Sequence, residues 1–306
     1  MKRAYGTLIA GLLCVVLCTG RAAWAEGKGK PGIREPVFAG TWYPDNPGAL
    51  RELIENYLDR ASLRSQPGKL TAVIIPHAGY AYSGQVAAYA YRLVRQGSFQ
   101  RVVMIGPSHR AAFRGASVSM QDGYRTPLGI VPVDRQFARK MLEQNNVVHW
   151  LPRAHAQEHS LEIQLPFLQT VIPDFRIVPI IMGEQDYETC LSLAESVAAM
   201  IGDSKGTLIL ASTDLSHFHN YSQAIVLDTA FIRHVESFDP EGLSQALAAG
   251  ECEACGGGPA VTALLAAQKL GADRSEILHY ANSGDVTGDH HRVVGYLSAA
   301  MTRTKP

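Results

Sequence analysis

Three short aliphatic runs end in histidine-bearing turns: Ile75-Pro76-His77-Ala78-Gly79-Tyr80, Gly106-Pro107-Ser108-His109-Arg110, and Ser212-Thr213-Asp214-Leu215-Ser216-His217-Phe218-His219. In an open α/β sheet, ligands and metals collect beyond the carboxyl ends of the strands. Three such turns therefore point to one site assembled from distant parts of the chain. Neutral imidazoles supply metal ligands, and titrating ones supply general acids or bases. His77 alone would pass for a turn histidine bonded to backbone, although Ala78 and Gly79 leave room for close approach. Asp214 and His217 lie three apart, so a helical turn would put both in one pocket. There a carboxylate orients the ring and raises its basicity. The alternative is an N-capping Asp214 with exposed histidines, His219 being the more exposed of the two.

Other residues are weighed against motifs they nearly match. Gly106-Pro107-Ser108-His109-Arg110 lacks the final glycine of G-x-S-x-G, so Ser108 is expected to bond within its turn and His109 is the functional candidate. Cys255 precedes Gly256-Gly257-Gly258-Pro259 and an apolar segment. A thiol at a glycine-rich helix entrance is approachable and expected to have a lowered pKa, which suits metal or redox duty; a Cys252–Cys255 disulfide is the competing reading. Glu158-His159-Ser160-Leu161-Glu162 has Glu where HExxH needs its second His, so no zincin is present. His159 and Glu162 are expected to support a site rather than ligate in it. His290 and His291, near Asp285 and Asp289, form either a pocket rim or a solvated loop.

These turns must be held by strands and helices. Strand-like runs fall at 70–75, 101–105, 175–181, 207–211, 275–280 and 293–299. Helical patterns fall at 84–95, 134–144 with Asp134 as N-cap, 158–171, 189–201, 222–237 and 259–270. The alternation predicts an α/β fold, a single domain over 35–306 with a central mixed or mainly parallel sheet flanked by helices. No linker, charge block or repeat divides it.

The chain has 306 residues, 46% hydrophobic, with 28 basic and 28 acidic side chains, enough for one large core and without the charge excess of a nucleic-acid binder. Residues 1–25 read as a signal peptide: Lys2 and Arg3, an apolar run from Leu8 to Cys18, then Ala23-Trp24-Ala25 before Glu26. That run is short of the ~20 residues a membrane span needs. Residues 26–34 read as a flexible leader. The expected product is exported, periplasmic or secreted, with no membrane segment after cleavage. It would keep Cys190, Cys252 and Cys255, an odd number for an oxidising compartment.

Pro76-His77-Ala78-Gly79-Tyr80, Gly106-Pro107-Ser108-His109, Glu158-His159-Ser160 with Gln164-Leu165-Pro166, Ser212-Thr213-Asp214-Leu215-Ser216-His217 and Cys255-Gly256 together resemble the Memo family. Its microbial members are called AmmeMemoRadiSam system protein B. Phe38-Ala39-Gly40-Thr41-Trp42-Tyr43-Pro44 extends the resemblance over nearly all of 35–301. It implies a fold similar to class III extradiol dioxygenases, which use non-haem iron. It also implies a mononuclear metal held by His77, His109 and Cys255, with Asp214 and His217 lining the same pocket as the catalytic pair. Cys255 stands where those dioxygenases have a carboxylate, and a soft thiolate shifts preference towards copper, zinc or thiolate-bound iron. Iron or copper redox chemistry on a small molecule is one implied activity. A non-catalytic metal-handling or peptide-binding module is the other. A functional link to AMMECR-type and radical SAM proteins follows from the resemblance alone.

Overall fold

The computed structural model describes residues 32–63, 68–202 and 206–304, together with Met1. The expected signal peptide beyond Met1, with Cys14 and Cys18, and the leader up to residue 31 lie outside the described residues.

Twelve strands are described: β1 (Ile33–Arg34), β2 (Lys69–Ile75), β3 (Arg101–Pro107), β4 (Ala116–Val118), β5 (Gly123–Thr126), β6 (Gly129–Pro132), β7 (Val148–His149), β8 (Arg176–Met182), β9 (Thr207–Ser212), β10 (His217–His219), β11 (Arg274–Asn282) and β12 (Val293–Arg303). Nine form one sheet in the order β10-β12-β2-β9-β3-β8-β4-β7, with β11 also paired to β12. The centre, β2-β9-β3-β8, is parallel, and antiparallel β12 and β4 flank it. The sheet is mixed, as the sequence predicts.

Strands buried on both faces need apolar side chains on both, which explains why β2 and β9 read as continuous aliphatic runs rather than alternating ones. Along β2, Val73 and Ile75 enter one core while Ala72 and Ile74 enter the other. Helices Pro47–Arg60, Tyr80–Val94 and Leu165–Val171 cover the first face. Helices Arg135–Gln144, Tyr187–Ile201, Tyr221–Glu236, Pro240–Ala249 and Gly257–Lys269 cover the second. Asp134 caps its helix as expected, accepting from Phe137 N at 3.0 Å.

Two expectations need correction. The single helix expected over 158–171 is broken: Pro152–Ala156, a 3-10 turn at Glu162–Gln164, and Leu165–Val171 are separate. The cause is competition for backbone groups. The Arg34 guanidinium donates to the carbonyls of His155 and Glu158, and the Glu158 carboxylate takes the N–H of Ser160. Those groups are thereby drawn out of a helical ladder. The second correction concerns the end of the leader. Ile33 and Arg34 are ordered in β1, paired in parallel with Gly123 and Tyr124 of β5.

A buried ion pair fixes this start of the fold. Arg34 Nη1 lies 2.7 Å from Glu162 Oε2, with side chains 3% and 0% exposed. Glu162 also accepts from the N–H of Phe38 and the hydroxyl of Tyr43, both at 2.8 Å. Glu162 thus docks the N-terminal segment and does not support the candidate site directly, contrary to the expectation for it. Removing one partner of a buried, hydrogen-bonded pair strands the other charge. Arg34→Ala is expected to cost about 3–5 kcal/mol in urea unfolding; a loss below about 1 kcal/mol, the range of surface pairs, would contradict this anchoring role.

Candidate metal centre

The parallel registers set Ile75 beside Ser212 and Ile105 beside Ala211, so β2, β9 and β3 end side by side. His77 leaves β2 through Pro76 and is buried, 1% exposed. Its N–H donates to Asp214 Oδ1 at 2.7 Å, and its Nδ1 lies 2.9 Å from Ser212 Oγ. Ser212 Oγ donates its only hydrogen to Ser160 O and accepts from Gln164 Nε2. A hydroxyl has one hydrogen, so His77 Nδ1 must be the N–H that donates to Ser212. Nε2 is then the free lone pair, and it lies 3.1 Å from Cys255 Sγ.

His109 is prepared in the same way. Its backbone N–H donates to Glu158 Oε2 at 2.6 Å, and its Nδ1 lies 2.8 Å from Glu158 Oε1. The carboxylate holds the proton on Nδ1 and leaves the Nε2 lone pair free, an arrangement usual for metal-binding histidines. Cys255 sits in the loop before helix Gly257–Lys269, its N–H bonded to Asp214 O and its Sγ accepting from Asp214 N. Gly256 is required there, because a Cβ would stand 2.4 Å from Ser212 O. One ligand atom each from His77, His109 and Cys255 lie within 4.8 Å of one another.

Electrostatics favour neutral rings at His77 and His159. Burial, aided by the neighbouring His109, lowers the His77 pKa to about 3. Burial and the other two rings lower His159 to about 3 as well. Burial works to raise the Glu158 carboxyl, but the hydrogen bonds and charge of His109 outweigh it and hold it at about 2. The Cys255 thiol departs from expectation. Burial, then the charge of Asp214, pushes it up rather than down, so its place before a helix N-terminus does not make it a free thiolate. A neutral His77 beside a masked thiol offers donors that a metal would complete, since a cation deprotonates a coordinating thiol.

The remaining candidates sort by contact. Asp214 and His217 are not on a helix: His217 opens β10, paired with Val294 of β12. The Asp214 carboxylate fixes the His77 turn, while His217 stands within electrostatic reach of both Asp214 and His77. Burial raises the Asp214 pKa to about 6 against those hydrogen bonds. Phe218 bulges outward between the two histidines with φ +63°, and His219 pairs with Glu253 at 2.8 Å. Ser108 bonds within its turn, donating to Ala111 O. Cys190, Cys252 and Cys255 are free thiols, so the alternative disulfide is not formed. His290 and His291 lie in an exposed stretch, His290 against Tyr221. His159 does reach the site, its ring centroid 4.3 Å from that of His109 and 5.3 Å from that of His77. Glu158, Ser212 and Gln164 were not singled out for their roles by sequence. Glu158 carried a faint signal, inside the incomplete HExxH.

Fold and site together define an α/β protein with a His/His/Cys group that could hold a metal ion at the carboxyl edge of its sheet. The Memo-like protein family profile matches residues 34–300. The MEMO1 family protein of Methanopyrus kandleri is 37% identical over 281 residues, covering 88% of this chain and 99% of that protein. The MEMO1 family protein of Methanosarcina mazei is 39% identical over 269 residues, covering 86% and 97%. The chain belongs to the Memo-like family. A solved structure of an uncharacterized Escherichia coli K12 protein shares the fold, with a TM-score of 0.51 at 15% identity over 76% of this chain and 99% of that one.

The depressed imidazoles have a consequence for acid stability. His155, between Tyr124 and Ser117, is lowered to about 3 by burial and then by Arg34. Unfolded, it takes up a proton near the ordinary value of 6.5. Between those values the unfolded chain binds more protons, so this stability is complete above 6.5 and is lost as pH falls towards 3. The urea midpoint of metal-free protein should drop between about pH 7 and about pH 5, and His155→Gln should shrink the drop. An equal drop in both proteins would contradict the assignment.

Proposed function

We propose that this protein holds a transition-metal ion between His77 Nε2, His109 Nε2 and the Cys255 thiolate, and uses it in redox chemistry on a small molecule. The observation that carries this is the pair of fixed tautomers: Ser212 and Glu158 each hold a proton on Nδ1 and leave Nε2 free, that of His77 3.1 Å from Cys255 Sγ, in a group whose ligand atoms lie within 4.8 Å of one another. The donor set fits iron or copper, with zinc also accommodated. Three protein ligands leave positions open for a substrate, as catalysis requires. Such an ion would supply Lewis acidity and, if iron or copper, one-electron chemistry.

This chain's own residues would do the rest. His217, partly exposed at the pocket and flanked by Asp214, would carry the proton to or from the bound molecule. Asp214 would keep the His77 turn in place. The thiolate sets this site apart from ring-cleaving relatives with a carboxylate ligand, so small thiols are probed alongside catechols. The signal-like pattern of residues 1–25 supports action in the periplasm or outside the cell.

Cobalt(II) replacement tests the site. Wild-type protein is expected to develop a sulfur-to-cobalt charge-transfer band that saturates at one equivalent. Cys255→Ser and the His77→Ala/His109→Ala double variant should abolish it, whereas Cys252→Ser should keep it. A wild-type protein without the band overturns the proposed ligand set. Oxygen uptake with catechols or small thiols on the iron or copper form is expected. Bound metal with no uptake would instead favour metal handling or partner binding.

A further inference from the structure

His159 is not explained by the site just described. It is 8% exposed, packed against Trp42 and Phe38 with ring centroids 4.5 and 5.6 Å away. Its Nδ1 is buried without a hydrogen-bond partner, yet it stands 3.4 Å from Glu158 Oε1. The same oxygen is 2.8 Å from His109 Nδ1. A carboxylate present only to orient His109 would not account for a second imidazole nitrogen left buried and unpaired 3.4 Å from it. Ligand atoms of His109, Glu158 and His159 lie within 4.8 Å of one another.

From this cluster we infer that His109, Glu158 and His159 form a second metal site, which takes a borderline divalent cation such as zinc or cobalt. At metal–ligand bonds of about 2.0–2.1 Å, two donors on one ion stand roughly 2.9–3.4 Å apart, depending on the angle between them. His159 Nδ1 stands at the upper end of this range from Glu158 Oε1, and His109 Nδ1, now at hydrogen-bond distance, a tenth of an ångström short of its lower end. Two imidazoles and a carboxylate suit such an ion, and the absence of sulfur makes this donor set distinct from the Cys255 group. Binding replaces the proton that His109 Nδ1 shares with Glu158: it moves to Nε2 when that nitrogen is free and leaves to buffer when Nε2 also holds an ion, and water completes the coordination. With both sites filled, His109 bridges two ions as an imidazolate. The inference rests on the proposed function only through this shared ring.

The test is a cobalt(II) titration of the full-length, metal-stripped protein. Bound cobalt is followed by equilibrium dialysis and the Cys255 site by its sulfur-to-cobalt band. The expected result is two bound equivalents, with the band complete after one. His159→Ala, and His159→Gln as the variant that keeps size and polarity, should each lose the second equivalent and keep the band. Cys255→Ser should lose the band and keep one equivalent. A wild type that saturates at one equivalent with a full band, unchanged by either His159 variant, overturns the second site alone. One equivalent without a band, lost in both His159 variants, overturns the Cys255 site and supports this one. Failure to bind any cobalt overturns both.

Discussion

When β2 pairs in parallel with β9, Ile75 stands beside Ser212, and the two chains leave the sheet as neighbours. The pairing continues past the strands: Thr213 N–H bonds to Ile75 O, and His77 N–H bonds to the Asp214 carboxylate. Ser212 Oγ then decides which nitrogen of His77 carries a proton. The position and the protonation of that ring are therefore both consequences of strand register. β3, on the other side of β9, delivers His109 by the same rule. Cys255 reaches the group only because Gly256 has no side chain to collide with Ser212 O.

Two buried glutamates four residues apart divide the supporting work. Glu158 serves His109, and Glu162 serves the N-terminal segment. Arg34 joins them, donating to the Glu162 carboxylate and to the Glu158 carbonyl. The irregular stretch between Pro152–Ala156 and Leu165–Val171 is what allows both carboxylates to face inward. A continuous helix there would have spent these backbone groups on itself. The start of the described fold and the candidate site are thus tied through one guanidinium.

Much of this was legible in the sequence. Doubly buried strands leave aliphatic runs, and Asp134 advertised its helix start. The His77, His109 and Cys255 group followed from family resemblance, and the structure brings it together. What was not legible depended on contacts between distant residues. Arg34 follows a run of glycine and lysine that carries no strand signal, and only Glu162 reveals its place. The helices Pro47–Arg60 and Pro240–Ala249 were not anticipated. The Cys255 thiol was misjudged because a glycine-rich helix entrance suggests a lowered pKa, while burial and the Asp214 charge act the other way. Asp214 was paired with His217 by proximity in sequence, yet its carboxylate bonds to a backbone 137 residues earlier.

His77 and Cys255, 3.1 Å apart in space, are 178 residues apart along the chain. Contacts of that range form late, since a long stretch must be ordered before the ends meet. A growing polypeptide that has released His77 and His109 still lacks the thiol. Any nascent or truncated form ending before residue 255 offers both imidazoles but not the Cys255 thiol. The complete donor group therefore belongs to the finished, folded molecule. An ion offered to a partly made chain would meet imidazoles alone at this group, a donor set of different softness from the finished one.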